Sequence, residues 1–257
     1  MKIASWNVNS LSVRLPQVIE WLEQTQVDVL CLQELKMETH KFPHEAFEQI
    51  GYHSACSGQK TYNGVAILSK TPLSNVQINN PLYEDEQQRL IAADITQNEQ
   101  TVRVIGVYCP NGSSLESDKF TYKMVWFDAL REYLQSQLHT YSQLVLTGDF
   151  NIAPEDRDVH AKYSGDILVS PAERTQFKQL LDLGLKDSFR LFEQEEKSFS
   201  WWDYRQFGFK RNAGLRIDHL LISEALASKC VASTIDKGPR ANERPSDHTP
   251  VIVEIAL

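Results

Sequence analysis

The chain has 257 residues, 42% of them hydrophobic, enough to bury one substantial globular core. Its net charge of −8 excludes a surface that is basic throughout, so any grip on nucleic acid has to come from local clusters of Lys and Arg. No apolar run reaches membrane-spanning length, and the four scattered cysteines include no CxxC pair, which excludes a membrane partner and points to a reduced, cytoplasmic setting.

In chain order, Ile3–Trp6 reads as a buried strand that runs into Asn7, following directly on Met1 and Lys2 with no secretory apolar segment. Leu15, Val18, Ile19 and Leu22 follow the i, i+3, i+4, i+7 spacing of a helix. Val29–Gln33 is a second strand running into Glu34, and Cys31 within it is expected to be a core thiol. Further strands are predicted at Val65–Leu68, Leu90–Ile95 and Val102–Val107, the last running into Tyr108. Met124, Phe127, Leu130, Leu134 and Leu138 stripe a longer helix, and Leu144–Gly148 is a strand running into Asp149. Ser170-Pro171-Ala172-Glu173 combines an N-cap serine, proline at the first helical position and glutamate in capping-box register, predicting a third helix that stops at Gly184. Strands at Ile217–Ile222 and Pro250–Ile255 follow. With no repeat or linker, the pattern predicts a single α/β domain over residues 1–257, built from two packed sheets with helices outside.

Strands normally hand over to Gly, Ser or Pro, yet four of these end in polar groups: Asn7, Glu34, Tyr108 and Asp149. Ligands of open α/β sheets collect beyond the carboxyl ends of strands, so the tips predict one convergent polar site. In Gly148-Asp149-Phe150-Asn151, an extended backbone would put both polar side chains on one side, with Gly148 clearing room for substrate. A carboxylate there can move a proton, and a carboxamide can hold water or a phosphoryl oxygen. An Asx-turn closing the strand accounts for the same residues without catalysis. Two prolines bracket Asp247-His248, and Asp218 on a neighbouring strand is the better partner for that imidazole than the adjacent Asp247. Glu34 amid oxygen donors suits a hard cation, Mg²⁺ or Mn²⁺, while zinc lacks its usual His and Cys spacing. Basic clusters at Lys119–Arg131, Arg205–Arg216 and Lys237–Arg244 flank these segments, although charge runs are commonly just solvated surface.

Taken together, Trp6-Asn7-Val8-Asn9, Leu32-Gln33-Glu34, Tyr108-Cys109-Pro110-Asn111-Gly112, Gly148 to Pro154, Arg216 to His219 and Ser246 to Pro250 resemble the exonuclease III family. These are abasic-site endonucleases of the endonuclease/exonuclease/phosphatase superfamily, and the resemblance runs the length of the chain in the family's order. Trp201 to Arg205 and Asn212 to Arg216 resemble its DNA-repair branch in particular.

The resemblance implies a four-layered α/β sandwich with two mixed sheets, acting as a monomer on double-stranded DNA with abasic sites or blocked 3′ ends. It implies Mg²⁺, with Mn²⁺ as substitute, held by Glu34 with Asn7, Asp149, Asn151, Asp247 and His248 in or near the shell. Asp149 would deprotonate or orient the attacking water, or hand a proton to the leaving oxygen, Asn151 would position that water or the phosphate, and His248 with Asp218 would donate to a non-bridging phosphate oxygen. Tyr108 and Asn111 would hold the scissile phosphate. Trp201, Leu215 and Ile217 would form an apolar slot for a flipped-out abasic sugar, helped by Ala161–Ser170, with Asn212 nearby. Lys119, Lys123, Arg211 and Arg216 would contact backbone phosphates. A bulky side chain in Ala161–Ser170 would favour the alternative, a 3′ end-processing exonuclease or phosphatase. A non-catalytic DNA-binding module is the alternative from another class.

Overall fold

The computed structural model describes residues 1–257 and contains two six-stranded sheets packed face to face. The first holds β1 (Lys2–Asn7), β2 (Val29–Gln33), β3 (His53–Ser57), β4 (Val65–Ser69), β13 (Cys230–Ile235) and β14 (Val251–Ile255), in the order β13-β14-β1-β2-β4-β3. The second holds β5 (Leu73–Ile78), β6 (Leu90–Gln97), β7 (Gln100–Tyr108), β8 (Leu144–Asp149), β9 (Leu185–Asp187) and β12 (Asp218–Ser223), in the order β5-β6-β7-β8-β12-β9. A small ribbon pairs β10 (Trp201–Trp202) with β11 (Gly214–Leu215). The helices are α1 (Leu11–Thr25), α2 (His44–Glu48), α3 (Asp118–Thr140), α4 (Pro171–Leu181) and the single turn α5 (Glu224–Ala227).

Strand alternation sorts the apolar residues into three layers of core. Ile3, Val29, Cys31 and Ile67 meet Ile91, Val102, Val104 and Val145 between the sheets. Their neighbours Ala4, Trp6, Leu30 and Leu32 face outward under Val18, Trp21 and Leu22 of α1. On the far side, Ala92, Ile105, Val107 and Leu146 pack beneath Phe127, Leu130 and Leu134 of α3 and Phe177 and Leu180 of α4. Both faces of the central strands are therefore apolar, which is why they read as continuous hydrophobic runs. Cys31 lies in the middle layer, where burial pushes its thiol up to about 12.

The helix signals hold. Ser170 caps α4 through the backbone N–H of Glu173, and the Glu173 carboxylate accepts from the Ser170 backbone N–H in return. The helix ends at Leu181, and the chain turns through Gly184 at φ 98°. The strands that patterning did not reveal are mostly edges: β3, β5 and β13 carry too many polar or exposed residues to read as buried runs.

Two strand pairs are parallel, β1 with β2 and β7 with β8, each in the middle of an otherwise antiparallel sheet. Parallel neighbours end at the same edge, so Asn7 and Glu34 emerge together, as do Tyr108 and Asp149. β12 runs antiparallel to β8 with Asp218 opposite Asp149, and β14 runs antiparallel to β1 just after His248. Four strand ends and two strand starts thus meet at one end of the sandwich. At Gly148, expected to make room for substrate, the constraint comes from the sheet itself. Its φ is +152°, and a Cβ there would sit 1.8 Å from the carbonyl oxygen of Val107, so the missing side chain lets β7 and β8 pair.

Behind the site, His219 is fully buried and accepts at Nδ1 from Arg216 Nη1 (3.1 Å) while Nε2–H donates to the carbonyl of Ile152 (2.8 Å). Burial and the Arg216 charge push its pKa well below the ordinary 6.5. A depressed folded pKa means that the unfolded chain binds the proton first. The contribution of His219 is therefore complete above pH of about 6.5 and is lost as pH falls below it. Denaturant titrations in EDTA, compared with His219→Asn, are expected to show wild type losing up to about 1.4 kcal/mol more per pH unit between roughly pH 6.5 and 5. Parallel pH profiles for the two proteins would contradict the assignment.

Candidate active site

Asp149 is buried at the end of β8, and its two oxygens are used differently. Oδ1 accepts the backbone N–H of Asn151 at 2.9 Å, closing an Asx-turn, and Oδ2 accepts from Asn7 Nδ2 at 2.9 Å. The turn and the catalytic reading are therefore not alternatives. Because the turn sends Asn151 to φ 50°, the extended backbone expected over these residues stops at Asp149. Asn151 instead donates from Nδ2 to the carbonyl of Cys109 (3.0 Å) and accepts at Oδ1 from Asn111 Nδ2 (3.0 Å).

Asn7 Nδ2 also donates to Glu34 Oε1 at 2.9 Å, so one carboxamide bridges the two carboxylates from the two sheets. The Tyr108 hydroxyl donates to the same Glu34 oxygen at 3.0 Å. Burial and the charges of Glu34 and Asp149 hold the phenol well above its usual range, so it stays a proton donor. His248 Nδ1–H donates to Asp218 Oδ2 (2.8 Å), and Nε2 faces Asp149 Oδ2 at 3.6 Å. The adjacent Asp247 points elsewhere, accepting from Asn9 Nδ2 (3.0 Å) and Trp201 Nε1 (2.9 Å). Strand alternation had favoured Asp218 for the imidazole, and the geometry agrees.

The electrostatics follow from burial. Desolvation raises the carboxyl of Asp149, with Asp218 adding to it and His248 opposing. Burial works against a charged His248, yet Asp218, Asp149 and Asp247 outweigh it and lift the imidazole above its ordinary range. Those carboxylates favour the protonated imidazole, whose Nε2–H is then a donor facing Asp149. One oxygen each of Glu34 and Asp149 and one ring nitrogen of His248 lie within 4.8 Å of one another. The carboxylate and carboxamide oxygens gathered at this point fit a hard divalent ion. Lys36 already reaches this point, with Nζ 2.9 Å from Glu34 Oε2.

Several supporting residues escaped the sequence reading. Lys36 donates to Asn9 Oδ1 (2.5 Å), and Asn9 donates to Asp247, so the two join the carboxylates of β2 and the loop before β14. Ser200 Oγ donates to Asp218 Oδ2 (2.7 Å) and accepts the backbone N–H of Asp218 (3.1 Å). Ser246 Oγ donates to the Asn7 carbonyl (2.7 Å). No periodicity marks any of them; Asn9 and Ser246 at least lie inside the recognised motifs, whereas Lys36 and Ser200 fall just outside them.

Two expected phosphate contacts are corrected. Lys123 is fully buried, paired with Glu173, and donates to the carbonyls of Asn111 (3.1 Å) and Asn151 (2.8 Å). It supports two site loops from beneath. Arg216 is 1% exposed, donating to Asp158 Oδ1 and Asp187 Oδ2 at 2.7 Å each. Neither has a free donor for DNA. Lys119 is exposed in a cleft of about 640 Å³ with Tyr62, Arg89, Tyr108 and Asn111. Arg211 is exposed in another, of about 490 Å³, with Trp201. Asn212 accepts from Trp202 Nε1 (3.0 Å) and so braces a loop. Leu215 and Ile217 are buried in a cluster with Ala153 and Leu168, against which Trp201 and Ile167 pack.

Buried carboxylates, an imidazolium and carboxamides at the strand ends of a two-sheet sandwich define a hydrolase of phosphodiester bonds. Residues 4–248 match the Endonuclease/Exonuclease/phosphatase family. Exodeoxyribonuclease III of Haemophilus influenzae is 38% identical over 99% of this chain and 99% of that protein. The structure of the 3′ phosphatase NExo from Neisseria, bound to product DNA hairpin, superposes with a TM-score of 0.96 at 48% identity, covering 100% of both chains. An AP endonuclease from Archaeoglobus fulgidus gives 0.94 at 38% identity, again over 100% of both. The chain belongs to the endonuclease/exonuclease/phosphatase family and, within it, is a relative of exodeoxyribonuclease III.

If Glu34 anchors a divalent ion, Mg²⁺ should raise the melting temperature. At a hundredfold excess over its dissociation constant the gain is about 2.7 kcal/mol, worth about 2–4 °C per kcal/mol at this size. In Glu34→Gln most of that shift should vanish. An equal shift in both proteins would remove Glu34 from the metal site.

Proposed function

We propose that this protein is a Mg²⁺-dependent DNA-repair phosphodiesterase that incises duplex DNA 5′ to abasic sites, leaving a 3′-hydroxyl, and removes 3′ blocking groups. The observation that carries this reading is the convergence of Asn7, Glu34, Asp149 and the Asp218–His248 pair on one point. Glu34 and Asp149 would hold the cation, with Mn²⁺ as substitute, and Asn7 fixes their mutual orientation. When bound, the ion neutralises phosphate charge and polarises the scissile group.

The chain's own residues do the rest. Asp149 Oδ2 lies where desolvation raises its proton affinity, and it takes the proton from the attacking water. Asn151, locked by Cys109 and Asn111, orients that water or a phosphate oxygen. The His248 imidazolium, held by Asp218, donates from Nε2 to a non-bridging oxygen, and the Tyr108 phenol donates beside it. Phosphoryl transfer depends mainly on such positioning and charge neutralisation, so no covalent intermediate is needed. Exposed Lys119 and Arg211 supply backbone phosphate contacts on either side. In this reading the protein acts as a monomer in the cytoplasm.

A second reading, mainly 3′ end processing, is favoured by one observation. Leu168 packs against Leu215 and Ile217 where an extruded abasic sugar would be accommodated, which penalises internal sites more than free ends. The relatives include both a 3′ phosphatase and an AP endonuclease. The purified protein should be given matched duplexes carrying an internal tetrahydrofuran, a nicked 3′-phosphate or no damage, in Mg²⁺ and in EDTA. Metal-dependent incision at tetrahydrofuran supports the first reading, and phosphate release alone supports the second. Asp149→Asn should lower either rate by about a thousandfold. Binding without hydrolysis in Mg²⁺ or Mn²⁺ would leave a non-catalytic DNA-binding module.

A further inference from the structure

Of the three basic clusters in the sequence, Lys237–Arg244 has no part in the site described so far. One of its members, Arg240, is only 7% exposed, on the short helical turn Gly238–Ala241 between β13 and β14. A desolvated cation is normally matched by a carboxylate, because taking it out of water is costly. Arg240 has no such partner. Its guanidinium donates from Nη1 to the carbonyl of Ser246 (2.5 Å), and its Nε–H is buried without an acceptor. Three aromatic rings enclose it instead: Phe209 at 5.0 Å, Tyr204 at 5.6 Å and Trp202 at 5.9 Å. Ring faces offset the desolvation of a cation only in part, so stability alone does not account for this one.

The bond to Ser246 belongs to a series. Arg14, on α1, donates from Nε to the carbonyl of Arg244 (3.1 Å) and from Nη2 to that of Pro245 (3.1 Å). Three successive carbonyls, those of Arg244, Pro245 and Ser246, therefore all accept from guanidinium groups. The Tyr204 hydroxyl adds a bond to the middle one (2.8 Å). On its other side, Ser246 Oγ accepts the backbone N–H of His248 (3.2 Å) and donates to the Asn7 carbonyl (2.7 Å). Hydrogen bonds from a charged donor are the strong ones, and here they fix peptide planes rather than neutralise acids. The gripped segment leads straight into His248, whose Nδ1 is committed to Asp218, so the backbone before it decides where Nε2 points. We propose that Arg240 is a positioning residue: by holding the Ser246 peptide it aims the His248 imidazole at the scissile phosphate. The inference rests on the phosphodiesterase reading above, in which His248 donates to a non-bridging oxygen, and Arg240 itself touches no substrate.

The test compares wild type, Arg240→Met and Arg240→Lys, each also in a His248→Asn background. Single-turnover cleavage is measured on the tetrahydrofuran or nicked 3′-phosphate duplex, whichever wild type processes, and DNA affinity is measured in EDTA. Methionine keeps the apolar contacts with the rings and removes both the donor and the charge. Arg240→Met should cleave about a hundredfold more slowly while binding DNA within about twofold of wild type, and Arg240→Lys should recover most of the loss. In the His248→Asn background the same change should cost no more than about twofold, because residues acting through one group are not additive. In the free protein, the NMR signal of the His248 Nδ1–H shared with Asp218 should shift in Arg240→Met and hold its place in Arg240→Lys. That signal needs neither DNA nor hydrolysis, so failure of the phosphodiesterase reading and failure of the positioning role are seen separately. Should Arg240→Met not fold, Arg14→Met frees the neighbouring peptides from a partly exposed position, and the same cycle with His248→Asn and the same NMR shift are expected of it. An unchanged rate, an equal loss in both backgrounds, a loss confined to affinity or an unmoved imidazole signal each overturns the inference.

Discussion

Asp149 and Asp218 are buried on either side of a single imidazole, and their charges raise its affinity for a proton. Buried like charges are costly unless paired and hydrogen-bonded. Asn7, Ser200 and the backbone of Asn151 supply the remaining donors. Glu34 then adds a third carboxylate, offset only by Lys36. The site is left deficient in positive charge at the place where a phosphodiester would bring more negative charge. A divalent ion is the natural remedy, and the geometry makes room for it between carboxylates drawn from both sheets.

Cations elsewhere in the molecule serve a different purpose. Lys123 joins Glu173, the capping residue of α4, to the carbonyls of Asn111 and Asn151. Arg216 and Arg190 gather Asp158 and Asp187 beneath the loop that follows β8, with His219 completing the network. These interior pairs contribute less to net stability than to fixing loop positions, because breaking either partner would strand a buried charge. Lys119, Lys210 and Arg211, by contrast, remain exposed, so local positive charge persists on the surface of a chain whose net charge is −8.

How much of this was legible in the sequence depends on where each interaction closes. The central strands and the α4 cap were readable because their signals are local: apolar runs, and Ser170 with Glu173 three residues on. Asn7, Glu34, Tyr108 and Asp149 were readable because a polar residue at the end of a buried run is conspicuous. Lys123 and Arg216 were misjudged because nothing near them in the chain reveals partners 50 and 58 residues away. Lys36 and Asn9 were overlooked because their bond to each other joins two loops 27 residues apart. Their importance lies in contacts between loops at one end of the first sheet, and short polar loops carry no period that announces such contacts. The packing of Leu168 against Leu215 and Ile217 is likewise beyond what composition can express.

The two parallel strand pairs carry an implication for how the protein fails. Each sheet contributes one pair, and Asn7 touches carboxylates belonging to both. Neither half of the sandwich contains enough of the constellation to work by itself. A slight sliding of one sheet over the other would separate Glu34 from Asp149 before any strand lost its ladder of hydrogen bonds. Under heat or denaturant, the chemistry should therefore be the first property to disappear, an early witness to loosening along the seam while each sheet is still intact.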